Sequence, residues 1–243
     1  MLSFHVCSGC AVPLPPFAQA ACELCLSYLR PAPAICADCL GLGCDPRCLR
    51  PALRLGGPTG LTKLDSFGAG FLSVGPAHGI LRHWKKSPHA RLETGFFGRI
   101  EWSRLRALRD RGLDAIVPVP QAYGRSVMLG GGPARRLAHR LSRALGVPVE
   151  ETIGIQGNTY HRQAGRSGTE RYETPIEFTL KRGTAPAPGR VLLVDDLFTS
   201  GRTLRAAVRA LRLGGSDRVD GWVLGFRPSL HAGFGADRAH DLG

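Results

Sequence analysis

A chain of 243 residues can hold one core of about 150 residues with a small module beside it. It contains no apolar run near the roughly 18 residues a membrane-spanning helix needs. Its first residues reach Cys7 without the basic and apolar regions of a signal peptide. A cytoplasmic protein with no membrane insertion is therefore expected. The net charge of +13 favours polyanionic partners, either nucleic acid or pyrophosphate-bearing ligands. Residues 81–143 carry 14 Lys/Arg against 4 Asp/Glu, a net of +10, while Arg outnumbers Lys 28 to 4 across the whole chain. The excess thus reads both as a basic segment and as a general arginine bias on solvated helix faces.

All eight cysteines fall in the first 48 residues, as Cys7/Cys10, Cys22/Cys25, Cys36/Cys39 and Cys44/Cys48. Thiolate pairs two or three residues apart suit tetrahedral structural zinc, and eight sulfurs suit two ions. Four disulfides are disfavoured by the absence of a signal peptide and by the cysteine-free remainder. Pro, Ala and Gly dominate between the pairs, so metal would supply much of this segment's folding free energy. Two pairings are open. Sequential ribbons, which we favour, join the first two pairs and then the last two; a cross-brace joins the first with the third and the second with the fourth.

The expected organisation is a zinc module over 1–50, a linker over 51–65, an α/β domain over 66–228 and a flexible tail over 229–243. Ser66 to Val74 reads as a strand. Ala77 to Lys86 reads as a helix with Ile80, Leu81 and Trp84 inward and Arg82, Lys85 and Lys86 outside. A single helix is expected from Leu92 to Leu108, with Phe96, Phe97, Ile100, Trp102 and Leu105 in the core. Asp114 to Pro120 is an apolar strand that leads into a loop from Gln121 to Pro133. In that loop Arg125 offers a guanidinium fork suited to pyrophosphate. Ala134 to Leu145 is a helix, and the composition of the polar stretch from Asn158 to Thr174 reads as a disordered surface loop.

The most informative stretch follows. Val191 to Val194 reads as a buried strand with Asp195-Asp196 at its end. Thr199-Ser200-Gly201-Arg202-Thr203 then forms a small loop, and Leu204 to Leu213 a helix stopped by Gly214-Gly215. Loop N–H groups at a helix N-terminus make an anion site. Two carboxylates beside it suit a vicinal diol, and a ribose 5-phosphate combines the two features. A last strand spans Val219 to Phe226.

This stretch resembles the 5-phosphoribosyl-1-pyrophosphate (PRPP) signature of type I phosphoribosyltransferases. The resemblance implies that Asp195 and Asp196 hold the ribose and act in catalysis, and that Thr199, Ser200, Gly201, Arg202 and Thr203 hold the 5-phosphate. It also implies Mg2+ bound with PRPP, and a mobile flap at Asn158 to Thr174 that closes over the ligand. No pattern points to a general base, so the acceptor is open.

Val117-Pro118-Val119-Pro120, an arginine shortly after it, and a helix ending in Leu145-Gly146-Val147-Pro148-Val149 are together similar to the ComF family of competence-associated proteins. That family places cysteine knuckles before a phosphoribosyltransferase-like domain, and its shorter members keep two knuckles, as sequential pairing requires. The chain departs from the family at Leu129 to Ala134, where members usually carry an Arg-Gly-Phe-Asn-Gln run. The fold implied is a type I phosphoribosyltransferase-like parallel sheet flanked by helices, behind a small zinc module. The role implied is the handling of incoming single-stranded DNA in natural transformation, with a DNA-uptake helicase or other competence proteins as partners. The alternative is a non-catalytic, zinc-dependent single-stranded nucleic-acid-binding protein on the same scaffold.

Overall fold

The computed structural model describes residues 5–14, 20–37, 42, 60–86, 90–121, 132–156, 177–184 and 187–228. Cys39, Cys44, Cys48 and Arg125 lie outside them, as do most of the expected linker, the Asn158-to-Thr174 segment and the tail.

The chain begins with a small antiparallel pair, β1 (His5–Val6) and β2 (Pro13–Leu14), followed by the short helix α1 (Glu23–Ser27). A turn of 3-10 helix at Gly60–Thr62 leads into β3 (Ser66–Leu72) and α2 (Gly75–Lys86). Next come α3 (Ala90–Phe97), α4 (Trp102–Asp110), β4 (Ala115–Pro118) and α5 (Pro133–Leu145). A hairpin-like pair, β5 (Ile153–Ile155) and β6 (Phe178–Leu180), precedes β7 (Arg190–Phe198), α6 (Arg202–Leu213) and β8 (Arg218–Phe226).

Strands β3, β8, β7 and β4 form a four-stranded sheet in that order, parallel throughout. A parallel sheet is stable when both faces are covered, which is why its strands read as apolar runs. Here Leu192, Val194, Trp222 and Leu224 face one cluster with Ile80, Leu81 and Trp84 of α2, Phe96, Leu105, and Leu137 and Leu141 of α5. Val191, Leu193, Val219 and Val223 face the other, with Ala207, Val208 and Leu211 of α6. The α/β parallel sheet behind a cysteine-rich segment is as expected.

Both sheet edges are occupied. The Arg30–Ala32 stretch runs antiparallel along β3: Leu72 N donates to Arg30 O at 3.2 Å and Ala32 N to Gly70 O at 3.1 Å. At the other edge Ile116 N donates to Pro148 O and Glu150 N to Ile116 O, at 2.8 and 3.0 Å. Short peripheral pairings like these remove the open donors and acceptors an edge strand otherwise presents.

Two local expectations change. The single helix over Leu92 to Leu108 is two helices. Two of the last carbonyls of α3 are taken by side chains, Trp102 Nε1–H donating to Phe97 O at 3.0 Å and an Arg99 guanidinium N–H to Gly95 O at 3.2 Å. Ile100 meanwhile turns into the core between the two helices. The second change concerns β7, which does not stop before the acidic pair. It continues through it, with Asp195 opposite Val223 and Phe198 opposite Phe226, because β8 is long enough to pair with it.

Candidate functional site

Successive side chains of a strand point to opposite faces. Asp196 therefore enters the face covered by α2 and α5 and is 1% exposed, whereas Asp195 on the α6 face is half-buried. A buried carboxylate needs a partner. Asp196 has Lys85 of α2, whose Nζ lies 3.1 Å from each carboxylate oxygen, and Gln121 Nε2 at 3.5 Å. Its Oδ1 also accepts from Leu197 N at 2.7 Å. Asp195 Oδ1 accepts from Asp196 N at 2.8 Å. Burial, and then the neighbouring Asp196 charge, hold the Asp195 carboxyl well above the usual carboxylate range, although the Asp196 N–H and Lys85 oppose this. The pair is thus electrostatically split: one member is paired with lysine, and the other is poised to gain from a cation or a hydrogen-bond donor.

Thr199 and Ser200 are exposed just beyond β7. Gly201 caps α6 with φ 73°, the left-handed region where a side chain is strained, and Arg202 and Thr203 form the first helical turn. No side chain caps this helix start. The expected phosphate-loop residues thus come together at one strand–loop–helix junction, beside Asp195. Arg125 lies outside the described residues. Sequence reasoning missed Lys85 and Gln121. Lys85 is 111 residues from Asp196, helical spacing places it on the outward side of its helix, and no spacing pattern connects the two.

The sulfurs of Cys7, Cys10, Cys22 and Cys25 all lie within 4.8 Å of one another, with Cys7 to Cys22 at 3.6 Å and Cys10 to Cys22 at 3.8 Å. Zinc–sulfur bonds of about 2.3 Å give a tetrahedron with sulfurs about 3.8 Å apart, so the cluster is the right size for one zinc ion. Backbone N–H groups point at the sulfurs as well, from Gly9 and Cys22 to Cys7 Sγ and from Cys25 to Cys22 Sγ. Burial works against ionising Cys7, but the N–H groups of Cys22, Cys10 and Gly9 outweigh it and bring the thiol down to about 6. Cys25 goes the other way, its proton held by burial and then by the sulfurs around it. Four such thiols ionise together only around a cation. The first two pairs converge as sequential pairing requires, and Cys36 stands apart from them.

This knuckle is seated on α2. A Cβ at Gly79 would lie 2.6 Å from Ser8 O, and one at Gly9 would lie 2.8 Å from Cys25 Sγ and 3.4 Å from Ile80 Cγ1. Cys7, Cys25, Leu26 and Leu29 belong to the same core cluster as Ile80, Leu81 and Trp84. One helix therefore carries the knuckle on its first turns and the Asp196 partner on its last.

No protein-family profile matches the sequence. It is 33% identical over 113 residues to competence protein F of Haemophilus influenzae (strain ATCC 51907 / DSM 11121 / KW20 / Rd), a match covering 46% of this chain and 49% of that protein. It spans about half the length of that curated relative. Among solved structures it is similar to a purine phosphoribosyltransferase from Pyrococcus horikoshii Ot3, with TM-score 0.35, 19% identity, 52% of this chain and 71% of that one. It is also similar to the glutamine PRPP amidotransferase of B. subtilis, with TM-score 0.32, 20% identity, 49% of this chain and 24% of that one.

Proposed function

We propose that the chain is a PRPP-binding, phosphoribosyltransferase-like protein of the ComF type that acts in DNA uptake. One observation carries this reading: the half-buried Asp195 stands directly beside a glycine-turned loop and an uncapped helix N-terminus. N–H groups at that helix start favour a dianionic phosphate. Asp195 accepts hydrogen bonds from a ribose diol on the same side. Asp196 works through Lys85, which holds its charge in place and leaves Asp195 as the group that meets ligand. Mg2+ bound with PRPP would neutralise its pyrophosphate, and Asp195, whose affinity for a proton is raised by burial and by Asp196, gains from a cation nearby. The cysteine knuckle would hold zinc as a closed structural site. The activity, the acceptor, the cytoplasmic location and the partnership with competence proteins all belong to this proposal.

Calorimetric titration with PRPP and Mg2+ tests it. The wild type should bind, Asp195→Asn should weaken binding at least tenfold, and Thr199→Ala/Ser200→Ala should do the same with the strand untouched. Thermal melts would establish that each variant is folded. A wild type that does not bind sinks the proposal. The alternative is a non-catalytic single-stranded nucleic-acid-binding protein, which would lose affinity steeply with salt. Part of the basic segment is neutralised by ion pairs within the fold. Arg136 and Arg140 both pair with the buried Glu93, Arg135 with Glu151, Arg104 with Glu101 and Lys85 with Asp196. The PRPP reading is therefore the stronger.

A further inference from the structure

The carboxyl ends of three adjacent strands are joined by backbone hydrogen bonds. Ser73, just past β3, donates its N–H to Phe226 O at 2.8 Å, and Arg227, just past β8, donates to Phe198 O at 3.1 Å. Thr199 follows Phe198 directly, so Arg227 is next to the expected phosphate loop.

Above Ser73 lies the first half of α2. The Ser73 hydroxyl, 3% exposed, is 3.0 Å from His78 Nδ1, and Arg82 stands one helical turn beyond His78 on the same face. Arg82 and Arg227 are both exposed, and neither has an acidic partner among the described residues. Burial first, and then the charges of Arg227 and Arg82, lower the affinity of His78 for a proton, so both guanidiniums are within electrostatic reach of the imidazole. Two like charges gathered around a half-buried ring beside a buried hydroxyl carry an electrostatic cost, and an anion between them relieves it. Guanidinium forks match phosphate oxygens, and a serine hydroxyl and a neutral imidazole supply further hydrogen bonds.

We propose that Ser73, His78, Arg82 and Arg227 form a second anion subsite, next to the Thr199–Thr203 loop, that takes the phosphomonoester group of a phosphorylated second ligand. This rests on the PRPP reading for the identity of its neighbour, and it narrows the open acceptor to a phosphate-bearing compound. The subsite itself involves no residue of the acidic pair or the loop, so the two readings fail separately.

The test is run without PRPP or Mg2+. Full-length protein is titrated with inorganic phosphate, a nucleoside 5′-monophosphate, and a dinucleotide carrying only a phosphodiester, by calorimetry and by following the histidine ring resonances. His78 is assigned by its absence in His78→Asn. The monophosphate is expected to shift the His78 resonance and to bind at least tenfold more tightly than the dinucleotide. Its affinity should fall at least tenfold in Arg82→Ala/Arg227→Ala and stay within twofold of the parent in Arg106→Ala, which removes an exposed charge elsewhere. Phosphate binding that is indifferent to Arg82→Ala/Arg227→Ala would assign the ion to the loop and overturn the subsite. Equal binding of the dinucleotide would overturn the phosphomonoester and indicate strand binding, and no binding of any probe would also overturn the proposal. Both arginines are at the surface, so a melting temperature equal to the parent's is expected and excludes misfolding as the cause.

Discussion

Lys85 Nζ sits 3.1 Å from both carboxylate oxygens of Asp196, on a lysine side chain 45% exposed and an aspartate 1% exposed. Helix α2 thereby brings a cation to the end of the central strand β7 and relieves the repulsion that two adjacent aspartates would otherwise suffer. Removing one partner of a buried pair leaves the other charge without compensation.

Lys85→Met should accordingly destabilise the fold by roughly 1–3 kcal/mol, with water around the half-exposed ammonium keeping the loss at this level. In a chain of this size each kcal/mol moves Tm by about 2–4 °C. Lys85→Met/Asp196→Leu should recover most of the loss, since the buried charge is then gone. A thermal-melt double-mutant cycle measures the coupling, and two independent, additive single effects would contradict the pairing.

The pH dependence of Asp195 has a definite sign. Its folded-state pKa is raised by burial and by Asp196. Below the ordinary aspartate value of 3.8 the group is protonated folded and unfolded, and it costs nothing. As pH rises from there through the raised value, the unfolded chain ionises first and stability falls; the full cost is present above it. Asp195→Asn should therefore raise Tm at neutral pH, and the gain should vanish as pH drops below about 3.8. Melting both proteins from acid to neutral pH tests this, and a gain that grew towards acid would refute it.

Zinc should be part of the fold through Cys7, Cys10, Cys22 and Cys25. Structural zinc contributes on the order of 10 kcal/mol in small metal-organised modules. Cys22→Ser should lower zinc content by one ion per chain, measured by atomic emission. It should also free Leu26 and Leu29 from the core they share with Ile80 and Leu81. Proteolysis in the first 35 residues and a red shift of Trp84 emission should report that release. Unchanged metal content would show that the four sulfurs do not hold the ion.

Gly79→Ala separates docking from metal binding. In a free helix the change is favourable by about 1 kcal/mol. Here the new Cβ would lie 2.6 Å from Ser8 O, a backbone atom of the knuckle. The knuckle has to shift, and overpacking of this kind costs roughly 1–3 kcal/mol. The expected result is a lower Tm with zinc retained. A higher Tm would mean that the knuckle does not rest on this face of α2.

What could be read from the sequence shares one property: it is local. Alternating and continuous apolar runs marked β3, β4, β7 and β8, because a strand buried on both faces has to be apolar throughout. Helical spacing placed Ile80, Leu81, Trp84, Leu137 and Leu141 inward, and all are buried. Cysteines with two residues between them announced a metal knuckle, and the density of Asp, Thr, Ser and Gly after Val194 announced a strand–loop–helix junction. Local periodicity failed where a tertiary contact competed with it. The break between α3 and α4 depends on Trp102 reaching back to Phe97 O, which hydrophobic spacing does not register.

The composition, the strand and helix stripes, the cysteine pairs and the order of residues around Asp195 were set by the sequence by itself, since each is a matter of near neighbours. Only the tertiary structure decided that Lys85 meets Asp196, that Gly79 receives Ser8, and that Ser73, His78 and Arg227 share one end of the sheet. A charged residue on the solvent side of a helix looks the same in sequence whether it ends in water or over a strand. Which of these happens depends on how the helix crosses the sheet, and that crossing is set by the packing of Ile80, Leu81 and Trp84 against β7 and β8.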